Sequence, residues 1–231
     1  TQALSQAPQD ATLYAARGVA FQYQNKLEEA IEDYNQALQL DPNYGTAYYY
    51  RGLARSDQGD LAAAIDDFER AIALNPQDAT AYYNRGNARY DQGDLAAAIA
   101  DYDRAIALNP QDATAYYNRG NARYDQGDLA AAIADYDRAI ALNPQYANAY
   151  IGRGIARYDQ GDLAAAIDDY DQAIALNPQL ATAYYNRGIA RKAQGDLEAA
   201  IADYDRAIAL NPQDANAYIG RGIARYDQGD L

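Results

Sequence analysis

The side chains in this sequence that could do chemistry are carboxylates, guanidiniums, tyrosine hydroxyls and carboxamides. Adjacent carboxylates such as Asp66-Asp67 and Asp168-Asp169 suggest an acid–base pair or a Mg²⁺ site. Neighbours on a helix point about 100° apart, so these pairs do not converge on one atom, and a solvated face is the expectation. Ser5 and Ser56 are the only serines, and without His to activate either, a Ser-His-Asp triad is excluded. The lack of Cys and His also removes the thiolate nucleophile, the commonest metal ligand and the base poised near neutral pH. Gly152-Arg153-Gly154 lies in a helical pattern, not in a strand–turn–helix phosphate loop. Gly93-Asp94 lacks the alternating carboxylates of a calcium loop and reads as a helix cap. No catalysis, cofactor or metal is expected.

Recognition is a different matter. The 24 tyrosines offer large contact area at low entropic cost, each with a polar tip. A carboxamide can donate to a main-chain carbonyl and accept from a main-chain N–H. What positions these groups is a repeat. All seven prolines stand on one comb, Pro8, Pro42, Pro76, Pro110, Pro144, Pro178 and Pro212, each 34 residues after the last. Seven of the sixteen glycines form a second comb: Gly18, Gly52, Gly86, Gly120, Gly154, Gly188 and Gly222. Residues 78–111 and 112–145 are identical.

One period, residues 79–112, reads as two helices. Asp78 is placed to cap the first, which runs to about Gln92, and Gly93 stands where a left-handed residue closes a helix. Asp94 caps the second, the alanine-rich stretch Leu95 to Leu108, which Asn109-Pro110 ends. Gly86, Ala88, Ala98 and Ala105 let the two helices approach, while Tyr82, Ile99, Tyr102, Ile106 and Leu108 supply apolar area at helical spacing. Such a hairpin cannot bury its own apolar face, so neighbours must stack on it.

Tyr82, Gly86, Ala98, Tyr102, Ala105 and Pro110 stand at the offsets of the tetratricopeptide repeat, and the set recurs along essentially the whole chain. The sequence therefore resembles that family, which implies an all-α fold: a right-handed superhelical solenoid of antiparallel helix pairs. The expected organisation is the end of a preceding repeat at 1–10 (Ala3, Leu4, Pro8), then six repeats at 11–44, 45–78, 79–112, 113–146, 147–180 and 181–214. Residues 215–231 add the first helix of a seventh. Two departures stand out. Arg replaces Leu before the comb glycine, at Arg17, Arg51, Arg85, Arg119, Arg153, Arg187 and Arg221. Arg also replaces the aromatic four residues on, at Arg55, Arg89, Arg123, Arg157, Arg191 and Arg225. Arginines on a packing face need partners, and the expected ones are Asp33, Asp67, Asp101, Asp135, Asp169 and Asp203, with the Arg stems over tyrosine rings.

On each first helix, residues three, four, seven and ten beyond the second position share a stripe. It holds Thr80, Tyr83, Asn84, Asn87, Tyr90 and Asp91 in one repeat, and Thr114, Tyr117, Asn118, Asn121, Tyr124 and Asp125 in the next. Residues 45–78 add Tyr49, Tyr50 and Leu53; residues 181–214 add Tyr185, Asn186, Ile189 and Lys192. In the family this stripe lines the concave side, so the resemblance makes it the peptide-binding surface, with Asn84, Asn118 and Asn186 clamping main chain. Some members grip a C-terminal carboxylate with a lysine where Tyr83 and Tyr117 stand, so a carboxylate clamp is not expected. Asp91 and Asp125 favour neutral or basic segments. The bland alternative is that these tyrosines pack against neighbouring repeats and the asparagines are copies of one another. Gly152, Gly220, Ile151, Ile155, Ile219 and Ile223 replace polar groups, so an apolar end near 147–163 and a polar middle are expected.

A net charge of −14 repels nucleic acid and anionic lipid, and no apolar run approaches the roughly 20 residues that span a bilayer. The start, Thr1-Gln2-Ala3-Leu4, is neither an initiator Met nor a signal peptide, so the chain reads as a fragment or processed form; the cytoplasm is the favoured compartment. The expected function is a non-catalytic scaffold for a protein or peptide partner. The alternatives are a self-associating solenoid, forming a homo-oligomer through residues 215–231, and an engineered array without a native ligand. Near-identical repeats fit engineering or recent duplication, while Phe21-Gln22-Tyr23-Gln24-Asn25-Lys26 looks natural.

Overall fold

A computed structural model describes residues 9–230, and these contain thirteen helices and no strand. Ala3, Leu4 and Pro8, which carry the expected end of a preceding repeat, lie outside the described residues. The helices are α1 (Ala11–Tyr23), α2 (Leu27–Leu40), α3 (Gly45–Asp57), α4 (Leu61–Leu74), α5 (Ala79–Asp91), α6 (Leu95–Leu108), α7 (Ala113–Asp125), α8 (Leu129–Leu142), α9 (Ala147–Asp159), α10 (Leu163–Leu176), α11 (Ala181–Ala193), α12 (Leu197–Leu210) and α13 (Ala215–Gln228). They form two compact units, residues 1–111 with α1 to α6 and residues 112–231 with α7 to α13. Each unit is an all-α stack of consecutive hairpins, as the repeat implies.

Local chemistry sets the helix ends. Asp78 accepts from the amides of Thr80 and Ala81, and Asp94 accepts from Ala97, which satisfies donors that a helix start leaves open. Between α5 and α6 the backbone at Gly93 turns through φ +87°, a left-handed value that favours glycine. In the first hairpin Asn25 adopts φ +58° in that place, and Lys26 starts α2 without a side-chain cap. Asn is the non-glycine residue that best tolerates this conformation, so the irregular stretch keeps the turn.

Each hairpin closes on an aromatic ring. The rings of Tyr34, Phe68, Tyr102, Tyr136, Tyr170 and Tyr204 are buried against comb glycines; a Cβ on Gly86 would stand 2.8 Å from Tyr102 Cε1. Fully buried alanines such as Ala81, Ala88 and Ala98 complete the core. Within each unit the first helices of successive hairpins touch, α1 to α3 to α5 and α7 to α9 to α11 to α13. No two second helices within a unit do so among the described residues. The first helices are therefore the more tightly spaced row, and each unit curves towards them.

The departures from the family pattern meet as the charges require. Asp169, 2% exposed, accepts from Arg153 Nη2 at 2.5 Å and Nε at 3.1 Å, and from Arg157 Nη1 at 2.9 Å. Asp67, Asp101 and Asp203 hold the same pair of arginines from their own hairpins. Arg153 also reaches Asp137 on the preceding second helix at 2.5 Å, so the charges run from one hairpin to the next. Arg153 lies 5.5 Å from the Tyr150 ring centroid, and Arg51 5.4 Å from that of Tyr48. Burial pushes the Asp169 carboxyl up, while the hydrogen bonds and charges of Arg153 and Arg157 pull it down. Desolvating the charges offsets much of their attraction, so buried ion pairs of this kind add little net stability.

Candidate functional site

The stripe tyrosines and asparagines sit on the inner row of first helices and are half-buried, whereas Asp91 and Asp125 are exposed. Tyr49 packs against Phe68 (centroids 6.1 Å apart), Tyr83 against Tyr102 (6.0 Å), Tyr117 against Tyr136 (5.9 Å) and Tyr185 against Tyr204 (5.9 Å). Tyr50 stacks on Tyr34 at 6.3 Å and meets Tyr49 edge-on at 5.3 Å. Tyr49, Tyr83, Tyr117 and Tyr185 thus each rest on the core aromatic of their own hairpin, and Tyr117 also packs against Tyr146 at 5.0 Å. Thr80 and Thr114 are exposed at the helix starts, their amides held by Asp78 and Asp112.

The carboxamides divide into two groups. Asn84 donates to the Tyr49 hydroxyl and to the Thr80 carbonyl, both at 3.0 Å, which leaves its own carbonyl oxygen as the available atom. Asn87 and Asn121 accept from the hydroxyls of Tyr102 and Tyr136 at 2.8 and 2.9 Å. Asn186 makes no hydrogen bond among the described residues, because Ile151 stands where Tyr49 stands for Asn84. Asn118 has a polar contact of its own within the chain. Tyr124 donates to Asp159 at 2.5 Å, and that carboxylate, together with burial, pushes its phenol up to about 12. Tyr90 is likewise engaged.

In the second unit the row opens into a groove of about 280 Å³ lined by Tyr158, Tyr185, Ile189, Lys192, Tyr204, Ile219 and Ile223. The first unit has one of about 380 Å³ beside Tyr49, Tyr50, Thr46 and Asp78. A larger cleft of about 670 Å³ between α3 and α4 is lined by Arg51, Arg55 and Asp67, whose charges already pair with one another. Those three side chains are thus spent on the fold, while Asp66 and Arg70 of the same lining have no pair among the described residues. Among the described residues no group of three or more carboxylates is placed to hold a metal, and no helix is long and apolar enough to cross a membrane.

The TPR repeat model matches residues 23–59, 54–93, 86–127, 120–161, 154–195 and 190–229. The chain belongs to the TPR family. No curated protein matches it. Among solved structures, a tetratricopeptide repeat protein from Parabacteroides merdae ATCC 43184 superposes with a TM-score of 0.80 at 21% identity, over 95% of this chain and 87% of that one. YrrB, described as a TPR protein with an unusual peptide-binding site, gives 0.68 at 22% identity over 82% and 97%. The chain matched in the APC/C Cut9-Hcn1 hetero-tetramer gives 0.74 at 21% identity over 96% of this chain, which spans only 44% of that one. These likenesses are of fold. That fold is an interaction scaffold, and TPR proteins bind protein or peptide partners.

Tyr204 and Tyr158, which line the second-unit groove, were not among the residues predicted from sequence. Aligning the repeats carries a signal for Tyr204: Phe68 accompanies Leu53 and Tyr102 accompanies Asn87, whereas Tyr204 accompanies Ile189.

Proposed function

We propose that this TPR protein is a non-catalytic scaffold that holds an extended peptide segment along its inner row of first helices. The observation that carries this reading is that the row presents half-buried tyrosines on α3, α5, α7 and α11, with half-buried asparagines beside them on α5, α7 and α11. Rings already seated on the core are rigid, so a ligand gains contact area without ordering them. Asn84 offers a carbonyl to a main-chain N–H, and Asn186 offers both ends of its amide. Asp91, Asp125 and Asp159 at the ends of their helices favour neutral or basic segments there. The lack of Cys and His supports the absence of catalysis. The test is selection from a library of randomised ten-residue peptides, followed by mapping with Asn186→Ala and Tyr185→Ala. Bound peptides that survive these changes, and crosslink instead to second helices, would place recognition on the other face.

A further inference from the structure

The buried aromatic of each second helix carries a hydroxyl that has to be satisfied. Tyr34 donates to Gln22 at 3.0 Å, Tyr102 to Asn87 and Tyr136 to Asn121, while Phe68 has no hydroxyl and packs near Leu53. The pattern breaks further along. Tyr170 and Tyr204 keep the hydroxyl, but Ile155 and Ile189 stand where Asn87 and Asn121 do. Neither hydroxyl has a hydrogen-bond partner among the described residues, although Tyr170 is 2% and Tyr204 1% exposed. No side-chain nitrogen or oxygen among the described residues is both sealed and unbonded, so both oxygens reach open space. For Tyr204 that space is the groove bounded by α11 and α13.

Burial, with Tyr185 and Tyr158 beside it, pushes the Tyr204 phenol up to about 12, so at neutral pH it is a donor without an acceptor. A donor at the edge of water that loses its hydration on ligand binding has to be offered an acceptor in return. The walls are Ile189, Ile219 and Ile223, and Gly220 lets the Tyr204 ring come close; a Cβ there would stand 2.8 Å from Cε1. The charge changes at the same place. Lys192-Ala193 replace the Tyr-Asp found at 90–91, 124–125, 158–159 and 226–227. Lys192 reaches Asp227 at 3.6 Å, a pair exposed enough to be exchanged at little cost.

We propose that this groove is a subsite for an extended segment with a Leu, Ile or Val side chain against Ile189, Ile219 and Ile223. A main-chain carbonyl of that segment accepts from the Tyr204 hydroxyl, and a neighbouring acidic side chain meets Lys192. The inference rests on the peptide-scaffold reading and adds the location and the ligand chemistry. In the first unit the corresponding hydroxyl, on Tyr102, is already closed by Asn87.

The test uses substitutions that the chain already accommodates elsewhere. The full chain is panned against a library of randomised ten-residue peptides, and the selected peptide is titrated by fluorescence anisotropy. Expected are an aliphatic residue beside Asp or Glu in the selected sequences, and binding weakened about 3- to 10-fold by Tyr204→Phe. Ile189→Asn, which offers Tyr204 an internal acceptor, should weaken binding at least tenfold. Lys192→Tyr should abolish the acidic preference, and Arg70→Gln on the exposed side of α4, the residue that position 172 already carries, should leave affinity unchanged. Thermal melts of all four variants establish that they fold. Selected peptides indifferent to Tyr204→Phe and Ile189→Asn overturn the subsite and leave the scaffold reading standing; a selection without enrichment overturns both. A concentration-dependent dimer that Ile189→Asn dissociates assigns the groove to a second copy and also overturns the proposal.

Discussion

Gly154 lies against the Tyr170 ring so closely that a Cβ on it would stand 2.6 Å from Cε1. Gly222, 68 residues on in an identical helix, has nothing within 4 Å. The same substitution should therefore have opposite signs at the two positions. Gly154→Ala forces ring and helix apart and is expected to cost about 1–3 kcal/mol. Gly222→Ala removes only the conformational entropy of glycine in a helix and is expected to stabilise by about 1 kcal/mol. Urea unfolding of the two variants in parallel checks this; equal effects would show that ring contact is not what the comb glycines serve.

Asp169 is the common acceptor for Arg153 and Arg157. Asp169→Ala leaves Arg157 with no carboxylate among the described residues, while Arg153 keeps Asp137. Removing one member of a buried ionic cluster costs about 3–5 kcal/mol, far more than the cluster contributes net. The loss should be local, so amide exchange in α9 and α10 should accelerate before that in α1 and α2, as nearest-neighbour stability in a repeat array requires. Uniform acceleration along the chain would contradict this.

Burial raises the phenols of Tyr34, Tyr49, Tyr102, Tyr170, Tyr185 and Tyr204, the last to about 12. A folded value above the unfolded one of about 10 means that the unfolded state releases its proton first. The stability these groups contribute is therefore fully present below about pH 10 and falls as pH climbs towards 12. Melting temperature measured from pH 8 to 12 should be flat and then drop steeply, with the buried tyrosines ionising together with loss of helical signal. Tyrosinate absorbance that develops fully while the helices persist would show these rings to be accessible.

Much of the molecule was legible in the sequence because much of it is decided within a turn or two. Asp78 and Asp94 cap the helices that follow them, Gly93 closes one end, and Pro110 stops a helix wherever the rest of the chain goes. A strict 34-residue period then leaves the hairpins only one another to pack against. The pairing of Arg85 and Arg89 with Asp101 was legible for a related reason: buried charges admit few solutions.

The state of each stripe residue was not legible. Asn84, Asn87 and Asn186 are the same residue type on equivalent faces, yet Asn84 is held by Tyr49, Asn87 accepts from Tyr102 and Asn186 is unengaged. Their partners lie 15 or 35 residues away on other helices, and a hydrogen bond demands about 3 Å. Sequence by itself determined the helices, their ends, the repeat and the family, since those follow from short-range sterics and periodicity. Only the tertiary structure decided which hydroxyls and amides are spent inside the fold and which, at Tyr204 and Asn186, are left without a partner among the described residues, because that depends on how neighbouring hairpins are set against each other.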